Sequence, residues 1–199
     1  MNRDSQLDQT LRRFLDQLAS DQPTPGGGSV AALGGTLAAA LGHMAAALTI
    51  GKPQFADVEP RVREIAARLK RAGELLKQLL DDDVAAYGGL HAAFRLPKSD
   101  PQRREALQAA ASVAAAVPFE MVALARKLRL DLARLALIVN PQLQSDVEVA
   151  LVMADAAMRA AAVMVRVNLP LLSESDRAHI DHELQRLLAP PHADPPEPA

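Results

Sequence analysis

Residues 23–55 read PTPGGGSVAALGGTLAAALGHMAAALTIGKPQF, and the fold turns on this stretch. Pro23 and Pro25 stiffen the approach, and a glycine run, free to take positive φ, opens the next segment. From there to Ile50 no charged side chain and no proline intervenes, so a helix of about 20 residues is predicted, closed by Gly51 and Pro53. Gly28, Gly35 and Gly42 recur at heptad spacing, with alanines at 31, 32, 38, 39, 45 and 46 between them. That draws a stripe of small residues on which a neighbouring helix backbone is expected to approach closely. Leu33, Leu37, Leu41, Met44 and Leu48 make a bulkier face. Ser29, Thr36 and His43 form a third line, nearly in register at about 100° per residue.

A helix apolar all round belongs in a core. A membrane span has the same length, but this run is rich in Ala and Gly rather than Leu and Ile, and no second run accompanies it. The polar seam and the open amides at the helix start are therefore the first candidate site. The bland alternative is that Ser and Thr bond back to the carbonyl one turn earlier and that His43 is a satisfied core histidine.

The rest of the chain agrees with a helical bundle. Its 199 residues are 49% hydrophobic, enough for a substantial core. A net charge of -2 gives no electrostatic reason to expect nucleic acid or an acidic membrane surface. With no cysteine, disulfides and thiolate metal sites are excluded and a reducing compartment is expected; the N-terminus lacks the apolar core of a signal peptide, so the expected location is the cytoplasm. Helices are predicted at 4–20, from Glu59 or Pro60 to Phe94, from Asp100–Pro101 to about Val139 with a kink or break at Pro118, from Asp146 to about Leu169, and over 174–188. Ser145 and Glu148 suggest a capping box for the fourth of these. No strand pattern is sustained. The expected fold is all-α, an antiparallel bundle of five or six helices in one domain over 1–189, followed by a disordered proline-rich tail over 190–199.

Within the long second helix, the wheel places Asp81 outward, Asp82 on the flank and Asp83 on the apolar stripe, one turn from Tyr87. A carboxylate on a core-facing line needs a partner or a purpose; the plain reading is a structural ion pair. On the helix after Asn140–Pro141, Glu148, Asp155, Arg159 and Arg166 share a solvated face. Asp146, Met153, Ala157, Met164 and Asn168 share the opposite one. HIDHE at 179–183 departs from the HExxH zinc order, so no metal is expected there. PTPGGGSV lacks the Lys-Ser/Thr pair of a P-loop, although its amides suit an anion such as a carboxylate.

Five stretches, in order, carry a resemblance: PTPGGGSVAAL, LTIGKPQFADVE, DDDVAAYGGLHAAFRLPK, NPQLQSDVEVA and VRVNL. With them the chain resembles the formiminotransferase-cyclodeaminase C-terminal family, which includes stand-alone methenyltetrahydrofolate cyclohydrolases. The resemblance covers roughly residues 10–172. It implies an all-helical homodimer acting on a tetrahydrofolate derivative, without prosthetic group or metal. On that basis Asp83 and Asp146 are the candidate carboxylates and His43 the proton shuttle. Gly26, Gly27, Gly28 and Ser29 are expected to hold substrate through backbone amides. Lys52 is expected to meet a glutamate-tail carboxylate or tune a neighbouring acid, and Tyr87 and Asn168 complete the binding set. Ala47, Phe55 and Met164 stand where the family usually has Asn, Tyr and Asn, which removes two amides and a phenol and bears on whether ligand recognition is kept. Methenyltetrahydrofolate hydrolysis ranks first, formiminotetrahydrofolate cyclodeamination second, and a non-catalytic folate-binding or structural dimer third.

Overall fold

The computed structural model describes residues 5–190. Among them are six α-helices, with no strand: α1 (Leu11–Leu18), α2 (Gly27–Thr49), α3 (Glu59–Arg95), α4 (Arg103–Ala136), α5 (Gln144–Asn168) and α6 (Glu174–Leu188). Short 3-10 turns at Pro53–Phe55, Pro141–Leu143 and Leu169–Leu171 join them. The expected tail lies, from residue 191 on, outside the described residues.

Helices α2 to α5 form a closed ring, α2 against α3 and α5, and α4 against the same two. The glycines set the α2–α3 seam. A Cβ at Gly35 would meet a methyl of Leu76 at 2.9 Å, and one at Gly42 would overlap Leu132 and crowd Leu69. Gly28 faces Asp83 in the same way. The heptad Gly28–Gly35–Gly42 on α2 thus receives the antiparallel heptad Asp83–Leu76–Leu69 on α3. This corrects one expectation: the small-residue stripe admits large side chains from α3 and α4 as knobs rather than a neighbouring backbone. Ile65, Leu69, Leu76, Leu80, Met121, Leu128, Leu132 and Leu135 fill the interior of the ring, each at most 1% exposed.

Other boundaries differ from the sequence reading for local reasons. Helix α1 starts only at Leu11, because the Thr10 hydroxyl accepts from the Arg13 amide at 3.2 Å and caps it there. Asp100 does not cap α4; its carboxylate accepts from the Gln102 amide and closes a turn before the helix starts at Arg103. Helix α4 runs unbroken through the buried Pro118, held between α3 and α5. The Ser145–Glu148 capping box does not form. The Asn140 side chain accepts from the Gln142 amide at 3.2 Å, and the 3-10 turn it opens leads straight into α5 at Gln144. At α6 the Ser173 hydroxyl caps the Asp176 amide. Helix α4 is also, like α2, long and apolar enough to cross a membrane by length and composition, so the α2 run has the companion the sequence reading missed.

Candidate functional site

The residue that breaks the packing rule is Asp83. It occupies a knob position where its heptad mates are leucines, and its carboxylate lies on the first turn of α2. Ser29, fully buried, donates its hydroxyl to Asp83 Oδ2 at 2.9 Å. A Cβ at Gly28 would overlap Asp83 Oδ1, so only glycine lets the carboxylate rest there. Gly26 caps α2 in extended conformation, with φ -130°. None of Gly26, Gly27 and Gly28 takes positive φ; Gly51, where α2 ends, does, at 79°. The glycine run therefore serves close approach rather than a left-handed turn.

Burial pushes the Asp83 carboxyl above its ordinary value, and the Ser29 hydroxyl and amide pull the other way. The three consecutive aspartates have three settings. Asp81 is half-buried rather than facing solvent, and Oδ1 accepts from the Gln6 amide at 2.8 Å. A wheel of α3 alone could not show the N-terminal segment crossing at that point. Asp82 is exposed on a cavity between α3 and α4. Asp83 is the inward acid.

The remaining expected residues do not gather around it. Tyr87, one turn on, is 41% exposed and stacks on His91 with ring centroids 6.0 Å apart. Asn168 donates its amide NH2 to the carbonyls of Ala114 (2.7 Å) and Met164 (3.0 Å), so this side chain braces α5 against α4 and keeps only its oxygen for a ligand. Thr36 bonds back to the Ala32 carbonyl, which takes it out of the polar seam. His43 lies fourteen residues beyond Ser29, about 21 Å along α2. It is half-buried on a cavity of about 260 Å³ with Lys70, Glu74 and Lys77.

Asp146 and Lys52 lie at the other end of α2. The Asn140 amide donates to the buried Thr49 hydroxyl at 3.1 Å, which fixes the start of α5 beside the last turn of α2. Asp146, in the first turn of α5, is half-buried and makes no hydrogen bond or ion pair to the described residues. Within one chain the structure thus separates Asp83, His43 and Asp146 into three places, and the expectation that they line one cleft is corrected at this level.

Several buried polar groups escaped the sequence reading. Asp131 is 4% exposed and pairs with Arg68 Nε at 3.0 Å, tying α4 to α3. The local sequence around it, RKLRLD at 126–131, carries no signal, because the partner is sixty-three residues away. The Thr49–Asn140 lock is equally long-range. Of the other residues singled out, Glu183 is taken up by Arg186, with both carboxylate oxygens at 2.8 Å. Met164 places its sulfur 2.9 Å from where a Gly27 Cβ would stand.

The described residues form a ring of antiparallel helices with a half-buried acid, Asp83, seated on a glycine-opened helix start. The sequence profile of formiminotransferase-cyclodeaminase matches residues 10–186, and the chain belongs to that family. Among its relatives is the methenyltetrahydrofolate cyclohydrolase of Methylorubrum extorquens, 36% identical, with 90% of this chain and 87% of that one covered. The formimidoyltransferase-cyclodeaminase of Mus musculus is 31% identical over 92% of this chain, which spans only 35% of that longer protein. The crystal structure of formiminotetrahydrofolate cyclodeaminase from Thermotoga maritima superposes with a TM-score of 0.83 at 30% identity, covering 90% of this chain and 88% of that one.

Proposed function

We propose that this protein hydrolyses 5,10-methenyltetrahydrofolate to 10-formyltetrahydrofolate. The observation that carries the proposal is Asp83, an acid held at a core position by Gly28 and Ser29 at the cost of a leucine-like knob. The cyclohydrolase of Methylorubrum extorquens, matched nearly end to end, supplies the reaction class. In that reaction water adds through oxygen to the carbon between N5 and N10 and gives up a proton. The carbon–N5 bond then breaks as the added hydroxyl loses its proton and N5 takes one, leaving the formyl group on N10 and one proton released overall. A carboxyl raised above its ordinary value by burial is closer to the working pH, where a group that accepts and returns a proton is most effective. Its negative form also stabilises the cationic amidinium-like centre. The Ser29 amide is taken by Asp83, so the amides left to suit an anionic group of the substrate are those of Gly27 and Gly28.

Asp146 enters this scheme only through a second copy, since one chain keeps it at the far end of α2. An uncharged wall supports such a dimer. Val30, Leu37, Met44 and Leu48 of α2 and Val149, Val152, Val163 and Val167 of α5 are each 38–69% exposed. Such a surface is large for a monomer. Two copies joined antiparallel on it set the Asp146 end of one against the Asp83 end of the other. We further propose that the enzyme works in the cytoplasm as a single domain with no prosthetic group, and that it binds neither nucleic acid nor membrane.

Cyclodeamination of formiminotetrahydrofolate is the second reading, favoured by the likeness to the Thermotoga maritima structure. Loss of the methenyl chromophore above the buffer rate tests the first reading. Ammonia release from formiminotetrahydrofolate tests the second. No turnover with either, in folded protein that binds folate, would leave the third, with Met164 against Gly27 as its structural motive.

A further inference from the structure

On the α4–α5 side of the ring, away from Ser29 and Asp83, α6 ends over a cavity of about 480 Å³. Arg126, Arg129, Arg159 and Arg166 line it, with Asp155 as their one acidic neighbour among the lining residues. Their hydrogen bonds show how they are held. Arg126 Nη1 donates to the carbonyls of Leu187 and Ala189, at the carboxyl end of α6, where a cation is favoured. Asp155 holds two more guanidiniums, each through Nε: Arg159 at 2.7 Å and Arg129 at 3.5 Å. Side-on holding through Nε leaves the terminal nitrogens of Arg129 and Arg159 without a partner among the described residues. Arg166 pairs with no carboxylate among them either.

One carboxylate does not offset this charge, but it does brace two flexible side chains at once. That reduces the entropy an incoming ligand has to overcome. The cavity is not purely polar: Met158, Ala162 and Leu188 add an apolar surface. Its volume falls in the range of small-molecule sites, roughly 300–1,000 Å³. Arg159 and Arg166 are exposed along the cavity rim, so their free ends are accessible to a ligand.

We propose that this cavity binds a small organic anion. Its phosphate or carboxylate oxygens take the free ends of Arg129, Arg159 and Arg166, and its apolar body lies on Met158, Ala162 and Leu188. Arginine forks match both oxyanions bidentately. The site is separate from the folate reading, because it lies across α5 from Gly27 and Met164 and uses none of the residues assigned to catalysis.

Calorimetric titration of the full chain at low ionic strength tests it, with pyrophosphate, ADP and triglutamate as probes. ADP or triglutamate is expected to bind with a dissociation constant below about 1 mM, and added salt is expected to weaken it. ADP binding more tightly assigns a phosphate source, triglutamate a carboxylate source. The double variant R129Q/R166Q, whose melting temperature is expected to stay at the wild-type value, should bind the organic probe at least about ten-fold more weakly. Binding of pyrophosphate alone would remove the apolar part and overturn the proposal. So would failure of all three probes, or undiminished binding in the double variant. R166Q alone, which breaks no contact among the described residues, covers the case in which the double variant fails to fold.

Discussion

At the scale of single residues, Gly28 and Asp83 test each other. A methyl at position 28 would occupy the space of Asp83 Oδ1, so Gly28→Ala is expected to displace the carboxylate and cut turnover by about 10²-fold or more, the typical worth of an acid–base group. Gly27→Ala would meet only the end of the flexible Met164 side chain; its turnover should stay within a few-fold of wild type. Equal turnover loss in the two variants would remove the Gly28–Asp83 contact from the mechanism. Asp83→Asn keeps the size and the Ser29 contact but not the charge, so it should lose turnover comparably while melting no lower than wild type. The same acid sets a pH dependence. Its folded-state value is raised, so between the unfolded and folded values the native state holds more protons than the unfolded one, and stability falls as pH rises through that window. Urea midpoints measured across the acid range should show this decline in the wild type and a flatter profile in Asp83→Asn. Asp81→Asn, by contrast, should shift stability by no more than about 0.5 kcal/mol, since an amide oxygen still accepts from Gln6.

At the scale of elements, the heptad seam between α2 and α3 carries the fold. Leu76 is 1% exposed and fills the gap above Gly35; Leu76→Ala should cost about 2–5 kcal/mol, read as a lowered denaturation midpoint. A loss under about 1 kcal/mol would mean the seam is loosely packed. The glycine stripe, the bulky face of α2 and the inward position of Asp83 were legible because each is a period within one helix, and helical periodicity is a local property. The family stretches were legible for a different reason: they are short and keep their order. What failed at helix ends was local turn and cap chemistry; what failed elsewhere depended on a second element. The Asn140 turn that displaces the Ser145 cap is a local Asn-Pro turn signal that the reading passed over, whereas the Gln6–Asp81 contact and the Arg68–Asp131 pair join residues whose meeting no wheel or spacing encodes. The Arg129–Asp155 pair between α4 and α5 belongs to the same class. Arg159 and Arg166 are exposed, as the solvated-face reading has them; what the wheel of α5 does not encode is that Arg129 and the end of α6 over Arg126 make that face one wall of a cavity.

At the scale of the whole molecule, the distance between the candidate acids becomes an argument about assembly. Asp83 lies at the first turn of α2, and Asp146 belongs to the start of α5, beside Thr49. The twenty-two residues from Gly27 to Thr49 span about 33 Å, too far for both acids to touch one pteridine. Two copies packed antiparallel on the apolar α2–α5 wall resolve this, because a two-fold axis across the middle of α2 exchanges its ends. Light scattering is then expected to give a homodimer at micromolar concentration, and a strict monomer would sink the scheme. A mixing experiment asks the sharper question. Asp83→Asn and Asp146→Asn should each be nearly inactive alone, Asp146→Asn with little change in melting temperature. If each site draws one acid from each copy, a mixed dimer carries one site with both substitutions and one with neither. Denaturing the two variants together and refolding them makes about half of the dimers mixed, so activity should recover to roughly a quarter of wild type. Recovery should track the fraction of mixed dimers as the input ratio is varied. A refolded mixture no more active than its parents would mean that Asp83 works without the Asp146 of a second copy.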